Sequence, residues 1–352
     1  MKYPEEVRVC KVDGQTLVPE DTLKTGDPEL PPGTQVGEYV IEEKIGEGGF
    51  GTVYRAVHHV IGKAAAVKIL HSHRAGNPQM VARFISEARA VNQIGHPNIV
   101  DIFAFGQLED NRRYYVMELL SGMPLEQYLR MTGAIPAGVA LPLLRDAARA
   151  LAAAHEAGIV HRDLKPDNIF MVMRKEGVFT LKLLDFGLAK LFGDQLPTGA
   201  KTKTGAPMGT PHYMSPEQCR GKSVDHRTDI YSFGIVLHRV LTGSLPFDSE
   251  DPVELLTAQV SAPPPRMSSV NDTLPKAMDR PVLQMLEKDP SNRPASITLA
   301  MDALFKAAAD AGVVDASQKT RTPRAFRAGR ARSRTTAVRC SWWRRYASPT
   351  SP

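Results

Sequence analysis

The sequence predicts an α+β fold in which a small β-rich N-terminal lobe precedes a larger, mainly helical C-terminal lobe. Apolar runs typical of strands fill residues 39–120, and amphipathic helical patterns, including an alanine-rich run over 139–156, follow Pro124. Strands that precede helices instead of alternating with them indicate α+β architecture. A chain of 352 residues can bury a sizeable core, and its length is compatible with one bilobal domain or two ordinary domains.

The net charge of +6 belongs to the C-terminal tail and not to the predicted globular body. Ten of the 44 Lys and Arg residues lie between Lys319 and Arg345, and no Asp or Glu follows Asp315. Without those ten, 34 basic residues face 38 acidic ones, which gives residues 1–315 a net charge of −4. The charge of the body therefore gives no indication of nucleic-acid binding.

Cysteine spacing and hydropathy predict a reduced, cytoplasmic protein without a membrane span. Cys10, Cys219 and Cys340 lie far apart, and no CxxC pair indicates a zinc site or a disulfide framework. There is no run of about 18 apolar residues, and residues 4–6 read Pro-Glu-Glu where a signal peptide needs an apolar stretch. We therefore expect a cytoplasmic location and no transmembrane segment.

A glycine-rich loop between two predicted strands indicates a phosphate-binding turn. The stretch reads Ile45-Gly46-Glu47-Gly48-Gly49-Phe50-Gly51-Thr52-Val53. Missing side chains allow backbone N–H groups to close over phosphates. Glycine hairpins and dinucleotide-binding folds also produce this spacing, but a dinucleotide site needs a helix directly after the glycines. Val53 and the later strand residues Ala66-Val67-Lys68 favour a β-hairpin over a nucleotide.

The polar octet His161–Asn168 has the composition of a loop that surrounds a phosphate. Asp163 can accept a proton from an attacking hydroxyl, and Lys165 can neutralise charge on a transferred phosphoryl group. Asn168 can offer a carbonyl oxygen to a divalent cation. The alternative is a polar loop between two apolar segments. A second motif, Asp185-Phe186-Gly187, follows 22 residues after Asp163 at the end of an apolar strand.

Together these motifs resemble those of the bacterial eukaryotic-like (Hanks-type) Ser/Thr protein kinases over about residues 39–308. The resemblance implies a bilobal protein kinase fold, with the N-lobe at 38–120 and the C-lobe at 121–308. It also implies transfer of the ATP γ-phosphoryl group to Ser or Thr hydroxyls of protein substrates, with Mg²⁺ or Mn²⁺ as the metal. Lys165 favours Ser/Thr over Tyr as the acceptor.

The resemblance also implies a role for each motif residue. The catalytic residues are Asp163, Lys165, Lys68 and Glu87, and the metal ligands are Asn168 and Asp185. Because Lys68 lies in an apolar strand, its ammonium needs an anionic partner. We expect that partner to be Glu87 on the predicted helix 79–94, and the alternative for Glu87 is a solvated helix face.

The implied ATP contacts come from the glycine loop, the neighbouring strands and the link between the lobes. They are Ile45, Gly46, Glu47, Gly48, Gly49, Phe50, Gly51, Val53, Ala66, Lys68, Met117, Glu118, Leu120 and Phe170. In this set, Met117 corresponds to the gatekeeper beside the adenine, and residues 118–120 offer backbone hydrogen bonds to the base. Phe170 corresponds to the floor of the adenine pocket.

An activation segment is expected between Asp185 and Glu217. Thr202 and Thr204 are spaced like the autophosphorylation sites of bacterial Ser/Thr kinases, and Arg162 would receive the phosphate. Thr210 is expected in the substrate-facing loop near the octet. The alternative is that these threonines are unmodified loop residues. Autophosphorylation between two copies would require self-association.

Two further expectations concern the scaffold of the large lobe. By the resemblance, Asp229 fixes the backbone of the octet, and Arg293 pairs with Glu217 behind the activation segment. A surface arginine is the alternative for Arg293. A pseudokinase that serves only as a scaffold is the competing function. Its usual signature is a lost lysine, HRD or DFG motif, and all three are intact here.

The two ends of the chain are expected to lie outside the kinase domain. Residues 1–37 are predicted as an extended lead-in, in which Cys10–Gly14 resembles half of a zinc ribbon that lacks its other three ligands, so no zinc is expected. The basic tail 309–352 is predicted to be disordered. Residues 342–345, Trp-Trp-Arg-Arg, can contact anionic lipid or nucleic acid, and the alternative is the out-of-frame end of a truncated gene.

Overall fold

The described part of the chain folds into two antiparallel sheets and ten α-helices. In the computed structural model, the described residues are 29–173, 179–186 and 211–314. The strands are β1 (Gln35–Val36), β2 (Tyr39–Glu47), β3 (Gly51–His58), β4 (Ala64–Leu70), β5 (Ile102–Gln107), β6 (Arg113–Glu118), β7 (Gly122–Pro124), β8 (Ile169–Met173) and β9 (Phe179–Leu183). The helices are α1 (Ser72–Ala75), α2 (Pro78–Ile94), α3 (Leu125–Thr132), α4 (Ala137–Glu156), α5 (Pro216–Cys219), α6 (Arg227–Thr242), α7 (Pro252–Ser261), α8 (Met267–Val270), α9 (Asp279–Met285) and α10 (Ile297–Asp310). The predicted two-lobed α+β architecture is confirmed.

The N-lobe is a six-stranded sheet in the order β1-β2-β3-β4-β6-β5, and α2 packs against it. α2 begins after Asn77, whose side chain accepts hydrogen bonds from N–H groups of the first turn, and it ends at Gly95, where φ is 56°. Phe84 of α2 stacks on Tyr115 of β6, with 4.8 Å between the ring centroids. Because this contact fixes the rotation of α2, one face of the helix points into the lobe.

The C-lobe is built around α6. Every residue of α6 from Thr228 to Leu241 is buried except Arg239, as expected for a helix surrounded by other helices. α4 packs against α6, α10 and β9. The small sheet β7-β8-β9 belongs to the C-lobe, and the octet, residues 161–168, connects α4 to β8.

The packed body extends a few residues beyond the predicted boundaries at 38 and 308. Val36 of β1 is fully buried, and the backbone N–H of Leu30 donates to the hydroxyl of Tyr54 at 3.1 Å. At the other end, α10 continues to Asp310, and residues 313–314 pack against the core of the large lobe. Single apolar residues outside a periodic pattern gave no signal for this packing.

The predicted absence of a membrane span can be compared with the described ranges, whereas several residues with predicted roles lie outside them. No helix in the three described ranges is long and apolar enough to cross a membrane. The residues that lie outside those ranges include Cys10, Gly187, Thr202, Thr204, Thr210, Cys340 and most of the basic tail.

Candidate active site

Lys68 lies between two carboxylates. Its Nζ is 2.6 Å from Oδ1 of Asp185 and 3.5 Å from Oε1 of Glu87. In the sheet, Lys68 pairs with Val53 of β3 and with Tyr115 of β6. Glu87 is 7% exposed on the inner face of α2, and the Tyr115 hydroxyl donates to its Oε1 at 3.0 Å. The predicted Lys68–Glu87 pair is therefore present, and Glu87 does not lie on a solvated helix face.

Burial and charge act against each other in this cluster. Burial opposes the charge on Lys68, but Asp185 and Glu87 outweigh it and hold the Lys68 pKa well above its ordinary value. Burial raises the pKa of Glu87 even though the Lys68 ammonium acts in the opposite direction. For Asp185, the attraction and the hydrogen bond of Lys68 outweigh the opposing effect of burial, and the pKa is lowered. One ammonium thus stabilises Asp185 more effectively than Glu87.

A single buried carboxylate holds the backbone at the start of the octet. Asp229 accepts hydrogen bonds from the N–H groups of His161 at 2.7 Å and Arg162 at 2.8 Å. Its Oδ2 also lies 2.8 Å from Nε2 of His155. Arg162 has φ of 65°, a conformation that is costly for a residue with a side chain. The two backbone bonds to Asp229 hold this conformation, and they are the contacts that the resemblance implied for Asp229.

His161 is a structural member of the octet in its neutral form. Burial lowers its pKa, although Asp229 and Asp163 act in the opposite direction. Its Nε2 lies 3.0 Å from the Leu184 carbonyl, which can only accept, so Nε2 carries the proton. Nδ1 then accepts from the backbone N–H of Asp163 at 3.4 Å. The His161 ring also packs on Phe186, with 4.7 Å between centroids.

The three chemically distinct residues of the octet form one cluster. Nδ2 of Asn168 donates to the backbone carbonyl of Asp163 at 2.8 Å and to its carboxylate at 3.2 Å. Lys165 Nζ lies 3.3 Å from the same carboxylate. The N–H of Leu184 donates to the Asn168 carbonyl at 2.9 Å, which fixes the octet next to Asp185. Asp163, Lys165, Asn168 and Asp185 are therefore brought together.

The glycine loop joins β2 to β3 as a hairpin with open space at its tip. The N–H of Gly48 donates to the carbonyl of Gly51 at 2.9 Å. A Cβ added at Gly48 or Gly49 would meet no atom within 4 Å, so packing within the protein does not require glycine there. A Cβ at Gly51 would lie 2.1 Å from the Ile69 carbonyl, which excludes a side chain. The space at the tip is available for a ligand.

His71 and Arg74, which follow β4 in the chain, support the glycine loop. The sequence gave no indication of these contacts. The N–H of His71 donates to the Phe50 carbonyl at 3.1 Å, and His71 Nε2 lies 2.9 Å from the Gly48 carbonyl. The Arg74 guanidinium lies over the Phe50 ring, 4.7 Å from its centroid. A histidine and an arginine beyond a strand are too common in sequences to predict contacts with a loop twenty residues earlier.

The predicted adenine side of the site combines strand residues from both lobes. Ala66 is buried and pairs with Met117 across β4 and β6. The N–H of Glu118 donates to the Asp101 carbonyl at 2.9 Å, and its carboxylate forms an ion pair with Lys182 of β9. Because Lys182 lies in the C-lobe strand that precedes Asp185, this pair connects the lobes. Sequence reasoning did not identify Lys182.

The remaining predicted ATP contacts are half-buried or exposed. Phe170 of β8 pairs with Pro124 of β7, and Leu120 follows β6 in the link to β7. Ile45 is 42% exposed, and the Glu47 carboxylate pairs with Lys44. Gly46 pairs with Val53 within the hairpin.

A buried ion pair joins Arg293 to Glu217, the last residue of the expected activation segment. Nη1 and Nη2 of Arg293 bind the two carboxylate oxygens of Glu217 at 2.7 and 2.8 Å, and the Thr228 hydroxyl donates to Oε1 at 2.6 Å. The Arg293 side chain is fully buried, so it is not a surface arginine. Although burial raises the Glu217 pKa, the bonds to Arg293 and Thr228 outweigh it, and the pKa is lowered. The pairing predicted for these residues is present.

Comparison with known proteins now identifies the family. The protein family described as "Protein kinase domain" matches residues 39–305, which is most of the chain. This chain belongs to the protein kinase family. It is 43% identical over 289 residues to the serine/threonine-protein kinase Pkn1 of Myxococcus xanthus, a match that covers 82% of this chain and 41% of the relative. It is 36% identical over 257 residues to the serine/threonine-protein kinase PrkC of Bacillus subtilis, and this match covers 73% of this chain and 38% of that relative.

The kinase chain spans less than half the length of the curated relatives that it matches. Among solved structures, the PknI kinase domain of Mycobacterium tuberculosis is similar with a TM-score of 0.63, covering 80% of this chain and all of that chain. At 24% sequence identity, this similarity supports the fold alone. The predicted kinase family and fold are thus confirmed.

In the kinase site, Arg162 differs between its backbone, which is bonded, and its buried guanidinium. Its backbone carbonyl accepts from Nε2 of Gln218 at 2.8 Å, which ties it to α5. Nε of its guanidinium is buried and has no hydrogen-bond partner in the part of the chain that the structure describes. Burial lowers the Arg162 pKa despite Asp229.

Proposed function

We propose that this kinase transfers the γ-phosphoryl group of ATP to Ser or Thr hydroxyls of protein substrates. The observation that carries the proposal is the unbroken series of contacts from Glu87 through Lys68 to Asp185, next to the Asp163 cluster. Each of these groups has an established use in phosphoryl transfer: an ion pair for phosphate binding, a metal ligand and a base. The names of the relatives support Ser/Thr as the acceptor.

The roles within the transfer step follow from the cluster. The substrate hydroxyl oxygen attacks the γ-phosphorus while Asp163 accepts the hydroxyl proton. The bond from the γ-phosphorus to the β–γ bridging oxygen breaks, and ADP carries that electron pair away. Lys165, 3.3 Å from the Asp163 carboxylate, neutralises charge that develops on the transferred group. Asn168 keeps the Asp163 carboxylate directed toward the hydroxyl through its amide N–H.

ATP is proposed to bind between the glycine loop and β6. Backbone N–H groups at residues 46–51 surround the phosphates, and Lys68 binds the α- and β-phosphates. Because the Glu118 N–H is bonded to Asp101, we assign the adenine contacts to the Glu118 carbonyl and the Leu120 N–H. Apolar contacts to the base would come from Ile45, Val53, Ala66, Met117 and Phe170.

The residues proposed to hold Mg²⁺ or Mn²⁺ fit these ions. Asp185 and Asn168 supply carboxylate and amide oxygens, the donors that hard divalent cations prefer. Since Nδ2 of Asn168 donates to Asp163, its Oδ1 is the atom directed to a cation. A bound ion would neutralise negative charge on the β- and γ-phosphates.

Labelling with radioactive Mg-ATP tests the proposed activity. The purified chain should label itself or a generic basic protein, while Asp163→Asn and Lys68→Met should not. Asp225→Asn is a matched control, because Asp225 is an exposed aspartate of the same lobe that caps only its own turn. Equal labelling by Asp163→Asn would mean that the role of Asp163 is misassigned. Loss of labelling in Asp225→Asn would mean that the assay reports general damage.

We further propose that phosphorylation at Thr202 or Thr204 regulates the kinase. The buried, unpartnered Nε of Arg162 supports this, because a phosphothreonine supplies the acceptor that it lacks. Transfer between two copies would require self-association. Mass spectrometry after incubation with Mg-ATP should find phosphate on one of these threonines and none in Asp163→Asn. Unmodified threonines in an active kinase would contradict this regulation.

The basic tail is proposed to be an accessory that is separable from catalysis. Ten Lys or Arg residues between 319 and 345 can attract an anionic surface. Because residues 313–314 pack against the core, a deletion should begin at 315. It should abolish binding to anionic vesicles and leave kinase activity unchanged.

A domain that uses ATP is expected to face the cytoplasm. We therefore also propose a cytoplasmic location for this kinase.

A further inference from the structure

A fully buried glutamine of α7 binds the backbone near the C-terminal end of the expected activation segment. Nε2 of Gln259 donates to the carbonyl of His212 at 2.6 Å and to that of Pro211 at 3.3 Å. Its Oε1 accepts from the Tyr231 hydroxyl at 2.7 Å. The side-chain amide therefore uses both kinds of hydrogen-bonding group, and Gln259 is completely inaccessible to solvent. Two successive loop carbonyls accept from this one side chain, and the Pro211 carbonyl also accepts from the Met214 N–H at 3.2 Å.

The ammonium of Lys288 holds the backbone around Gln259, and its three hydrogen-bond acceptors include no carboxylate. Nζ of Lys288 donates to the carbonyl of Gln259 at 2.8 Å, to that of Ala258 at 3.3 Å and to the Tyr231 hydroxyl at 3.1 Å. These three acceptors use its three N–H groups. The ammonium also lies 4.1 Å from the centroid of the Phe247 ring. Lys288 thus fixes both the end of α7 and the hydroxyl that orients the Gln259 amide.

We propose that Gln259 is a positioning residue for protein substrates, which holds the backbone of Pro211 and His212 in the conformation that receives them, and that Lys288 maintains Gln259 in place. The inference rests on the proposed kinase function, in which residues 211–217 belong to the substrate-facing loop. Among the described residues, the side-chain hydrogen bonds of Gln259 go to Pro211, His212 and Tyr231, and none goes to the octet or to a residue proposed to bind ATP. Its loss should therefore weaken recognition of the protein without changing nucleotide binding.

The loop has other anchors, but none replaces Gln259. The Ser232 hydroxyl donates to the carbonyl of Tyr213 at 2.7 Å, one residue further on. The His212 side chain lies 3.0 Å from Asp248, whose carboxylate is 72% exposed, so this contact is weak. Without the amide, the carbonyls of Pro211 and His212 would lose their side-chain donor, and the loop would shift to find water.

The protonation of Lys288 gives this arrangement a pH dependence. Burial and the neighbouring cations lower its pKa to about 8. The titratable and charged groups around it are Cys219, Arg220, Tyr231, Glu287 and Arg293. Of the titratable neighbours, burial raises the pKa of Cys219 to about 11 and that of Tyr231 further, so both stay neutral near pH 8. Loss of the Lys288 proton therefore removes one of its three donated bonds in weakly alkaline solution.

Steady-state kinetics with the full chain and myelin basic protein as the probe tests the proposal. Gln259→Met keeps the volume and removes the amide, and Lys288→Met removes the ammonium. Each should raise KM for the protein about tenfold, the effect of roughly one or two lost hydrogen bonds, while KM for ATP and ATP hydrolysis without protein stay within about twofold. Wild-type KM for the protein should rise as the pH passes 8, and that of Lys288→Met should not.

Asn271→Leu is the matched control, because Asn271 donates one amide N–H to the Leu241 carbonyl at 2.9 Å, in the same lobe but away from the loop. Amide hydrogen exchange gives a readout independent of catalysis: Gln259→Met should exchange faster in the segment 211–219 and normally in α10. An active wild type with unchanged protein KM in Gln259→Met, or equal changes in Asn271→Leu, would overturn the inference. If Gln259→Met does not fold, the kinetics of Lys288→Met and the pH profile of the wild type decide whether the inference holds. A wild type that labels neither itself nor the probe would instead overturn the proposed function. Hydrogen exchange at 211–219 would then test only whether Gln259 holds the backbone of Pro211 and His212.

Discussion

Lys68 binds Asp185 more closely than it binds Glu87, at 2.6 Å against 3.5 Å. The Tyr115 hydroxyl, 3.0 Å from Glu87, supplies the second carboxylate with a neutral partner. Under the proposed function, Asp185 would hold the metal when Mg-ATP is bound. Lys68 would then bind the phosphates and keep Glu87 as its remaining carboxylate partner, so the longer contact is the one that matters in the kinase with ATP bound.

Glu87→Gln should therefore affect catalysis more than stability. In the protein without ATP, Lys68 keeps Asp185, and a neutral amide relieves the cost of burying the Glu87 carboxylate, whose pKa burial raises. The melting temperature should change little, by about 4 °C or less for roughly 1 kcal/mol. With Mg-ATP bound, loss of the charge should lower kcat/KM for ATP by at least about tenfold.

Tyr115→Phe is the control for this prediction, since it removes the hydroxyl bond to Glu87 and leaves the carboxylate itself. Its kcat/KM for ATP should fall less than that of Glu87→Gln. A Glu87→Gln variant that unfolds well below the wild type but keeps full kcat/KM would show that the pair is structural only.

Asp229→Asn should misplace the octet without preventing ATP binding. The carboxylate accepts three bonds, two of them from the backbone N–H groups of His161 and Arg162, and an amide turns an N–H toward one of these donors. The strained backbone at Arg162 would relax, and a displacement of about 1 Å can reduce kcat about 100-fold. ATP affinity, measured by calorimetry, should stay close to that of the wild type. Normal kcat in Asp229→Asn would contradict the anchoring role of this carboxylate.

Contacts between distant elements were predictable where the family resemblance assigned both partners, and mostly not elsewhere. The apolar strand around Lys68 required an anionic partner, and the buried side of α2 allowed Glu87 to supply it. The roles of Asp229 and Arg293 came from the resemblance. Gln259 and Lys288 lie in stretches whose patterns indicate only helix and loop, because a glutamine or a lysine carries no signal of the backbone that it will meet after folding.

The boundaries of the domain show the same limit. Residues 35–36 form β1, although two residues cannot display a strand period, and Val36 is nevertheless fully buried.

Lys182 was also missed, since a lysine in a strand is expected to point to solvent. It is buried because the Glu118 carboxylate from the other lobe faces it, a pairing that depends on how the two sheets meet.

Arg293→Met should destabilise the kinase strongly. It leaves the Glu217 carboxylate, 7% exposed, without its bidentate partner, and removal of one member of a buried ion pair costs about 3–5 kcal/mol. Because the Glu217 pKa is lowered in the folded wild type, its stabilisation is present above its ordinary value of 4.5 and is lost as the pH falls through the folded value. The difference in unfolding free energy between wild type and Arg293→Met, measured with urea, should therefore narrow below about pH 4.5.

Arg293→Lys distinguishes charge from geometry in the same experiment. A lysine supplies the charge but cannot bind both oxygens of Glu217, so it should recover only part of the lost stability. Full recovery would show that the bidentate geometry is not needed. A loss below 1 kcal/mol in Arg293→Met would mean that the pair contributes little to the fold.

Lys288 should make stability and substrate recognition respond to pH in opposite directions. The folded pKa is about 8 and the ordinary value is 10.5, so between these values the unfolded chain binds the proton and the folded chain does not. Stability from this group therefore rises with pH in that window, because the cost of burying the ammonium is relieved. The melting temperature of the wild type should increase relative to Lys288→Met between pH 8 and 10, while KM for the protein rises. Lys306→Met is the control: its side chain is 75% exposed and carries no such burial cost, so its difference from the wild type should stay constant. A constant difference for Lys288→Met as well would show that the folded protein does not hold an ammonium at a cost in this position.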